Sequence, residues 1–303
     1  MLLGKDVMAA IPFLKARNNK VLKQRIISAV ILALCFIFVA TQSSEAIFSH
    51  IMTGTILVVS WEWAALVGLT KIAQKIGFVA SIGVTLISLY FFLDISHGSQ
   101  EINTGRAIVI LCLGLFFWVF SIYLLRGYPG NSKIWNHPSK IAVMGLMALV
   151  PAWCGIIQLK YLVSGGELIL VAVIMVAVAD ISGYFFGKTF GVVKLAPKVS
   201  PNKTWAGVWG AVISGILVCF PIIWVFNNFI LELNYFGKAI VLLLGLIVVF
   251  FSIVGDLLES MLKRNQNMKD SGSLLPGHGG ILDRVDGLIA VLPIFTLVML
   301  KIY

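Results

Sequence analysis

Five of the thirteen acidic residues of this 303-residue chain fall within residues 256–286: Asp256, Glu259, Asp270, Asp283 and Asp286. Lys263, Arg264, Lys269 and Arg284 lie among them. In GDLLESMLKR, Asp256, Glu259, Ser260, Lys263 and Arg264 stand at i, i+3, i+4, i+7 and i+8, so on a helix they share an arc of roughly 140°. On a solvated helix end such a set would be an ordinary salt-bridged face. The residues C-terminal to it argue for chemistry: LKRNQNMKDSG, then LPGHGG, then DRVD, with Asp283 and Asp286 one helical turn apart. Two groups of carboxylates with cations between them suit a divalent metal carrying a polyphosphate. Mg²⁺ is commonly held by one or two carboxylates plus phosphate oxygens and retained waters. Lys and Arg then neutralise the charge that develops on transferring and leaving phosphates. The glycines around His278 would let backbone N–H groups face an anion, although a Pro-Gly turn between two helices explains LPGHGG equally well.

Three further places bear on the same chemistry. KVSPNKTWAG reads as a Ser-Pro-Asn turn followed by Lys203 and Thr204 at a helix start, where a cation and a helix N-terminus jointly suit phosphate; a cap plus a topological lysine is the plainer alternative. Two acids, Glu62 in WEWAALVGL and Asp180 in AVADISGYFFGKTFG, fall inside apolar runs, where a carboxylate needs a partner or a task. Each is expected about seven residues from the cytoplasmic end of its helix, ~10 Å below that face. Glu62, flanked by Trp61 and Trp63, reads as a structural, hydrogen-bonded acid. Asp180 reads as functional, because Gly183, Gly187 and Gly191 set a stripe of small residues near its helical face, though helix packing alone would also use that stripe.

The elements that must position these residues follow from composition. The chain is 59% hydrophobic and only 12% charged, with a mean hydropathy of +0.99, well outside the range of a soluble domain. Apolar runs recur at 26–40, 47–69, 76–93, 107–125, 141–158, 167–186, 205–226, 238–255 and 287–302, without the alternation of a membrane barrel. The expectation is an all-α polytopic integral membrane protein of about nine transmembrane helices. Lys and Arg alternate between loops: Lys5, Lys15, Arg17, Lys20, Lys23 and Arg25 precede the first run, and the loops around 71–75, 126–140, 188–204 and 256–286 carry most of the rest. The opposite loops hold only Arg106, Lys160, Lys238 and Lys301. By the positive-inside rule the N-terminus and the polar site are cytoplasmic. The net charge of +10 is thus a one-sided asymmetry that also suits anionic lipid, with no nucleic-acid partner expected. The division is a basic cytoplasmic segment at 1–25 and a single transmembrane catalytic domain at 26–303, whose first span is retained rather than cleaved. Cys35, Cys112, Cys154 and Cys219 lack CxxC spacing and read as buried small hydrophobes.

Residues 260–286, SMLKR-(four residues)-KDSGSLLPGHGGILDRVD, resemble the signature of the phosphatidate cytidylyltransferases, or CDP-diacylglycerol synthases. GDLLES, DISGYFFGKTFG and SPNKTWAG resemble further segments of that family, while Asn202 and Ala206 depart from its usual residues. The resemblance implies transfer of CMP from CTP to phosphatidic acid, with Mg²⁺ as cofactor and the bacterial inner membrane as location. It implies Asp256 and Asp283, with Asp286, as the metal-linked acids, and Lys203, Lys263 and Arg264 as catalytic cations. Ser200, Ser260, Lys269, Asp270, His278, Arg284 and Asp180 are the implied substrate-binding set. Phosphatidate is already largely ionised near neutral pH, so no general base is required. Membrane lipid is the remaining partner, and self-association into a homodimer is left open. A transporter or flippase of anionic lipid would share the intramembrane acids and basic mouth, but no internal repeat is evident. The spaced pattern of CDP-alcohol phosphotransferases is absent, whereas a cytidylyltransferase for another lipid phosphate shares every feature.

Overall fold

A computed structural model of the chain describes residues 30–95, 102–274 and 279–303; the expected basic segment at 1–25 and His278 lie outside the described residues. The apolar runs become helices because a backbone in hydrocarbon must satisfy its own hydrogen bonds. In chain order these are α1 (Val30–Gln42), α2 (Glu45–Leu66), α3 (Ile72–Phe92), α4 (Thr104–Gly127), a single turn α5 (Ser132–Trp135), α6 (Pro138–Leu162) and α7 (Glu167–Phe190). A hairpin of β1 (Lys194–Ala196) and β2 (Ser200–Thr204) comes next, then α8 (Trp205–Val225), a π-helical turn (Phe226–Ile230), α9 (Tyr235–Asn265) and α10 (Leu282–Ile302). Polar residues start several of them. Ser44, Asn103, Thr204 and Asn234 each accept a backbone N–H from the first turn of the helix they precede, which satisfies a donor that the helix itself cannot.

Among the described residues, seven helices are long and apolar enough to cross a membrane: α3, α4, α6, α7, α8 with its π turn, α9 and α10. The protein is an all-α polytopic membrane protein apart from the short hairpin. Every expected apolar run is helical over part of its length, but α1 is described only over Val30–Gln42, and α2 carries Ser49, His50, Thr53, Ser60 and Glu62 among its apolar residues. The outward faces present Phe116, Ile181, Phe185, Leu217, Phe220 and Trp224, an exposure that lipid accepts and water would not. Helix α6 is the centre of the bundle, with 78% of its most apolar stretch buried, against 17% for the peripheral α3. It packs on α2, α4 and α10. Pro151 within α6 is matched by Gly114 of α4, where an added Cβ would stand 2.4 Å from the proline ring.

Helices α7 and α8 pack along each other over their length. Gly183 and Gly187 of the expected stripe face Gly207 of α8, whose added Cβ would meet the Gly183 carbonyl oxygen at 2.6 Å. The stripe therefore serves helix packing. Helix α9 runs unbroken for 31 residues, ~46 Å at 1.5 Å per residue, and so overruns a hydrocarbon core of about 30 Å. That is the expected continuation of the eighth apolar run into GDLLESMLKR.

Several expectations are corrected. The turn in the 188–204 loop is Ala196–Val199, closed by a Val199 N–H to Ala196 carbonyl bond of 3.1 Å, with Pro197 at the position whose φ it presets. Ser200, Pro201 and Asn202 instead lie in β2, where the missing proline N–H is tolerated on an edge. Glu62 is four residues before the end of α2 and Asp180 ten before the end of α7, because α2 stops at Leu66, before Gly68 at φ 85°, and α7 continues to Phe190. Of the cysteines, Cys154 and Cys219 are buried, but Cys35 and Cys112 are exposed on outward helix faces; all four are free thiols.

Candidate active site at the α9 and α10 ends

The polar face of α9 is formed as the spacing requires, but it is not a solvated salt-bridged surface. Glu259 is 3% exposed and the Lys263 side chain 13%. Lys263 Nζ bonds Glu259 Oε2 at 3.0 Å along its own helix and Asp283 Oδ1 at 2.6 Å on α10. The lysine thus ties the end of α9 to the start of α10. One turn earlier, Ser260 Oγ donates to Asp256 Oδ1 (3.2 Å), and Asp256 Oδ2 pairs with Lys203 Nζ of β2 at 2.7 Å. Lys203 and Asp256 keep 23% and 39% of their side chains exposed, so this pair is accessible where the Lys263 network is closed.

Close backbone contact brings α10 against this face. An added Cβ at Gly255 would lie 2.5 Å from the Asp286 carbonyl oxygen. The Asp286 carboxyl is within electrostatic reach of both Asp256 and Lys203. Asp286, Glu259, Gly255, Trp63 and Trp118 line a cavity of about 10 Å³, the room of a single water. The Glu259 carboxyl meets that of Asp286, and buried Trp118 Nε1 has no hydrogen-bond partner among the described residues. Further along the helix axes, Asp180 of α7, exposed on its own helix, accepts a hydrogen bond from Ser252 Oγ of α9 at 2.9 Å, with Lys203 and Asp256 in its electrostatic neighbourhood.

The structure therefore joins Lys203, Asp256, Ser260, Lys263, Asp283 and Asp286 into one neighbourhood, with Asp180 at its inner margin. Ser200 is half-buried on β2, at the register position opposite Ala196. Arg264, Lys269, Asp270 and Arg284 are exposed at the same end; Asp270 lies against Gly279. Three residues outside the expected set take part. Glu259 was visible as an i, i+4 partner of Lys263, and Ser252 lies four residues before Asp256 on the same helical face. Glu62, which accepts three hydrogen bonds from the 271–282 segment, has no signal in the sequence beyond being an acid in an apolar run.

Whether these donors suit a metal can be read from their remaining capacity. Among the described residues, no three or more His, Cys, Asp or Glu are grouped as a ready ligand set. Carboxylate oxygens each offer two lone pairs. Asp256 uses one on Ser260 and one on Lys203, and Asp286 accepts the Gly287 N–H at 2.8 Å. Asp283 Oδ2 is filled by the N–H groups of Ser271 (2.9 Å) and Gly280 (3.0 Å), which leaves capacity on Oδ1 beside Lys263. A few carboxylates with spare oxygens, and no closed cage, fit a Mg²⁺ that shares its coordination with substrate phosphate.

The fold and the site define a helical membrane protein with a cluster of acids and cations at one end of its bundle. Comparison with known proteins narrows the class: the chain matches the cytidylyltransferase family over residues 23–302, and it belongs to that family. It is 36% identical over 275 residues to a phosphatidate cytidylyltransferase of Pseudomonas aeruginosa, covering 91% of this chain and 96% of that protein. A phosphatidate cytidylyltransferase of Haemophilus influenzae is 33% identical over 293 residues (91% and 97%). Another from Bacillus subtilis is 32% identical over 277 residues (90% and 95%).

Proposed function

We propose that the chain transfers the cytidylyl group of CTP to phosphatidate, forming CDP-diacylglycerol and pyrophosphate for phospholipid synthesis. The observation that carries this reading is the accessible Lys203–Asp256 pair, 2.7 Å apart, set beside the Lys263–Asp283 bridge in a membrane protein whose relatives are phosphatidate cytidylyltransferases. A phosphate oxygen of phosphatidate attacks the α-phosphorus of CTP; the new P–O bond forms as the bond to the β-phosphate breaks, and pyrophosphate departs with that electron pair. Both substrates are multiply anionic, so their approach costs several kcal/mol on the order of the Coulomb energy at reduced dielectric. Lys203, Lys263, Arg264 and Arg284 offset that repulsion, and Lys203 and Ser200 belong to one hairpin strand able to flank the nucleotide phosphates. Asp256, Asp283 and Asp286 are the residues that would hold Mg²⁺, which when bound screens the phosphates and favours the leaving group. Ser260 orients Asp256, and Ser252 orients Asp180 at the inner margin; Lys269 and Asp270 border the segment after α9.

The finer topology belongs to the same reading: nine spans, an inward N-terminus and a reaction centre facing the cytoplasm of a bacterial inner membrane. It rests on the Lys and Arg alternation. It is supported by contacts that draw the more basic loops together, Asn265 with Asn136 at 2.8 Å and Gln266 against Gly68. The activity is tested by incubating purified protein with labelled CTP and a panel of lipid phosphates, with Mg²⁺ present or chelated. Labelled CDP-diacylglycerol formed from phosphatidate, and lost on chelation, is the expected result. Label entering a different lipid phosphate in preference would replace the substrate, and no transfer at all would reject the reading.

A further inference from the structure

We propose that Glu62, which lies on α2 and outside every signature segment, is a positioning residue for the reaction: its carboxylate clamps the segment leading into α10 and so sets Asp283 and Lys263 in place. The proposal rests on the reading of the α9 and α10 ends as the reaction centre.

Helix α10 starts without a capping side chain at its N-cap. The residue at its N-cap is Ile281, whose side chain accepts nothing, so the first N–H groups need partners from elsewhere. Glu62 supplies them. Its Oε1 accepts the Ile281 N–H at 3.0 Å and its Oε2 the Leu282 N–H at 2.7 Å, placing a carboxylate where the helix dipole favours one. Oε2 also accepts the Ser271 hydroxyl at 3.3 Å. Glu62 itself is 2% exposed, and the chain is shaped around it. A Cβ at Gly272 would come within 2.5 Å of Oε1, and one at Gly280 within 2.6 Å of Oε2.

The same short segment is held from its other side by Asp283, whose Oδ2 accepts the N–H groups of Ser271 and Gly280. Ser271 therefore bonds both carboxylates, and Gly280 is bonded to Asp283 while the next two residues are bonded to Glu62. Asp283 Oδ1 then meets Lys263. A shift at Glu62 passes through two or three covalently joined residues to the Asp283–Lys263 bridge. Misplacement of reacting groups by about 1 Å costs on the order of 100-fold in rate, so a clamp at this point acts on turnover more than on substrate affinity.

Glu62→Gln keeps the shape and one acceptor oxygen but turns the other oxygen into an NH₂ that faces N–H donors. In the purified, monodisperse variant the turnover number is expected to fall at least ~10-fold while KM for CTP and phosphatidate changes less than ~3-fold. Amide exchange should quicken in residues 271–274 and 279–284 and stay unchanged in α6 and α4. Adding Asp283→Asn should produce a combined loss smaller than the product of the two single losses, because both act on one segment. Parent-like turnover of Glu62→Gln, or a purely global loss of protection with normal turnover per folded molecule, overturns the proposal. If Glu62→Gln does not fold, Ser271→Ala, which removes only the hydroxyl bond, is measured instead: ~3-fold slower turnover with local exchange supports the clamp, and parent behaviour in both rejects it. Asp256→Asn run alongside separates the two readings. Full activity in Asp256→Asn removes the assumed reaction centre, whereas an inactive Asp256→Asn beside a normal Glu62→Gln defeats the clamp alone.

Discussion

Lys160, near the end of α6, and Lys263, near the end of α9, are two lysines withdrawn from solvent, and they lie at opposite ends of the bundle. Lys160 is fully buried; its ammonium donates to the main-chain carbonyls of Ala40, at 2.7 Å, and Ser164, with the Phe48 ring beside it. Lys263 donates to two carboxylates from different helices. The Lys160 hydrogen bonds end on backbone carbonyls, and Glu45 and Glu167 act on its ammonium through space. The Lys263 contacts lead through Asp283 and Glu259 to Asp286, and thence to the partly exposed Asp256–Lys203 pair. A buried cation by itself therefore marks a place where helices are fastened. A reaction centre needs the second feature, charge that is held on one side and accessible on the other.

The comparison can be broken by exchanging the two lysines for methionine in turn. Lys263→Met should lower cytidylyl transfer ~100-fold or more, the scale of losing a charge-stabilising contact. It should also destabilise the α9 and α10 ends by about 3–5 kcal/mol, because two carboxylates lose their partner. Rates per folded molecule and thermal unfolding in detergent check both. Lys160→Met should cost stability on the order of 1–3 kcal/mol for its orphaned carbonyls and leave turnover per folded molecule within ~2-fold; a collapse of turnover there would erase the distinction. Lys203→Ala, which removes an accessible partner of Asp256, should raise the CTP requirement or slow turnover about 10-fold at unchanged yield, measured by steady-state kinetics in both substrates. The smallest effect is expected at the exposed Arg106–Asp94 pair on the Lys160 side, 2.8 Å apart with side chains 44% and 60% exposed. Arg106→Ala should shift stability by less than ~1 kcal/mol with no change in rate.

The sidedness of the two ends can be sharpened independently. Single cysteines placed in the 191–204 and 266–274 segments should be shielded from an impermeant thiol reagent in intact cells, while one near residue 164 should react. Labelling in both of the first segments would invert the topology inferred from charge.

How far these features were legible depends on the range of the interactions that produce them. The long apolar runs are local, and so is the i, i+4 spacing of Glu259 and Lys263; helices and an α9 that outruns the bilayer follow directly. The glycine stripe after Asp180 was visible, and its partner is another glycine, Gly207, so packing accounts for it without a ligand. The hairpin turn was misplaced by a few residues because two prolines, Pro197 and Pro201, compete for it, and only the strand pairing of Lys194 with Thr204 decides between them. Glu62 lies at the far limit of legibility. Its partners Ile281 and Leu282 are about 220 residues away, they bond through main-chain N–H groups that any side chain would offer, and nothing near WEWAAL hints at them. The outward Cys35 and Cys112 fail for the opposite reason, since in a bilayer an apolar residue is at home on either face of its helix.

The central claim is that Asp256 works with a cation and Lys203 on the phosphates of CTP. Asp256→Asn keeps the side chain's size, leaves Asp283 and the Glu62 clamp untouched, and removes one negative ligand at an accessible position. CDP-diacylglycerol formation by the purified, monodisperse variant across a Mg²⁺ titration should fall ~100-fold or more at ordinary Mg²⁺ and recover in part at high Mg²⁺. Near-normal turnover at ordinary Mg²⁺ would contradict the account.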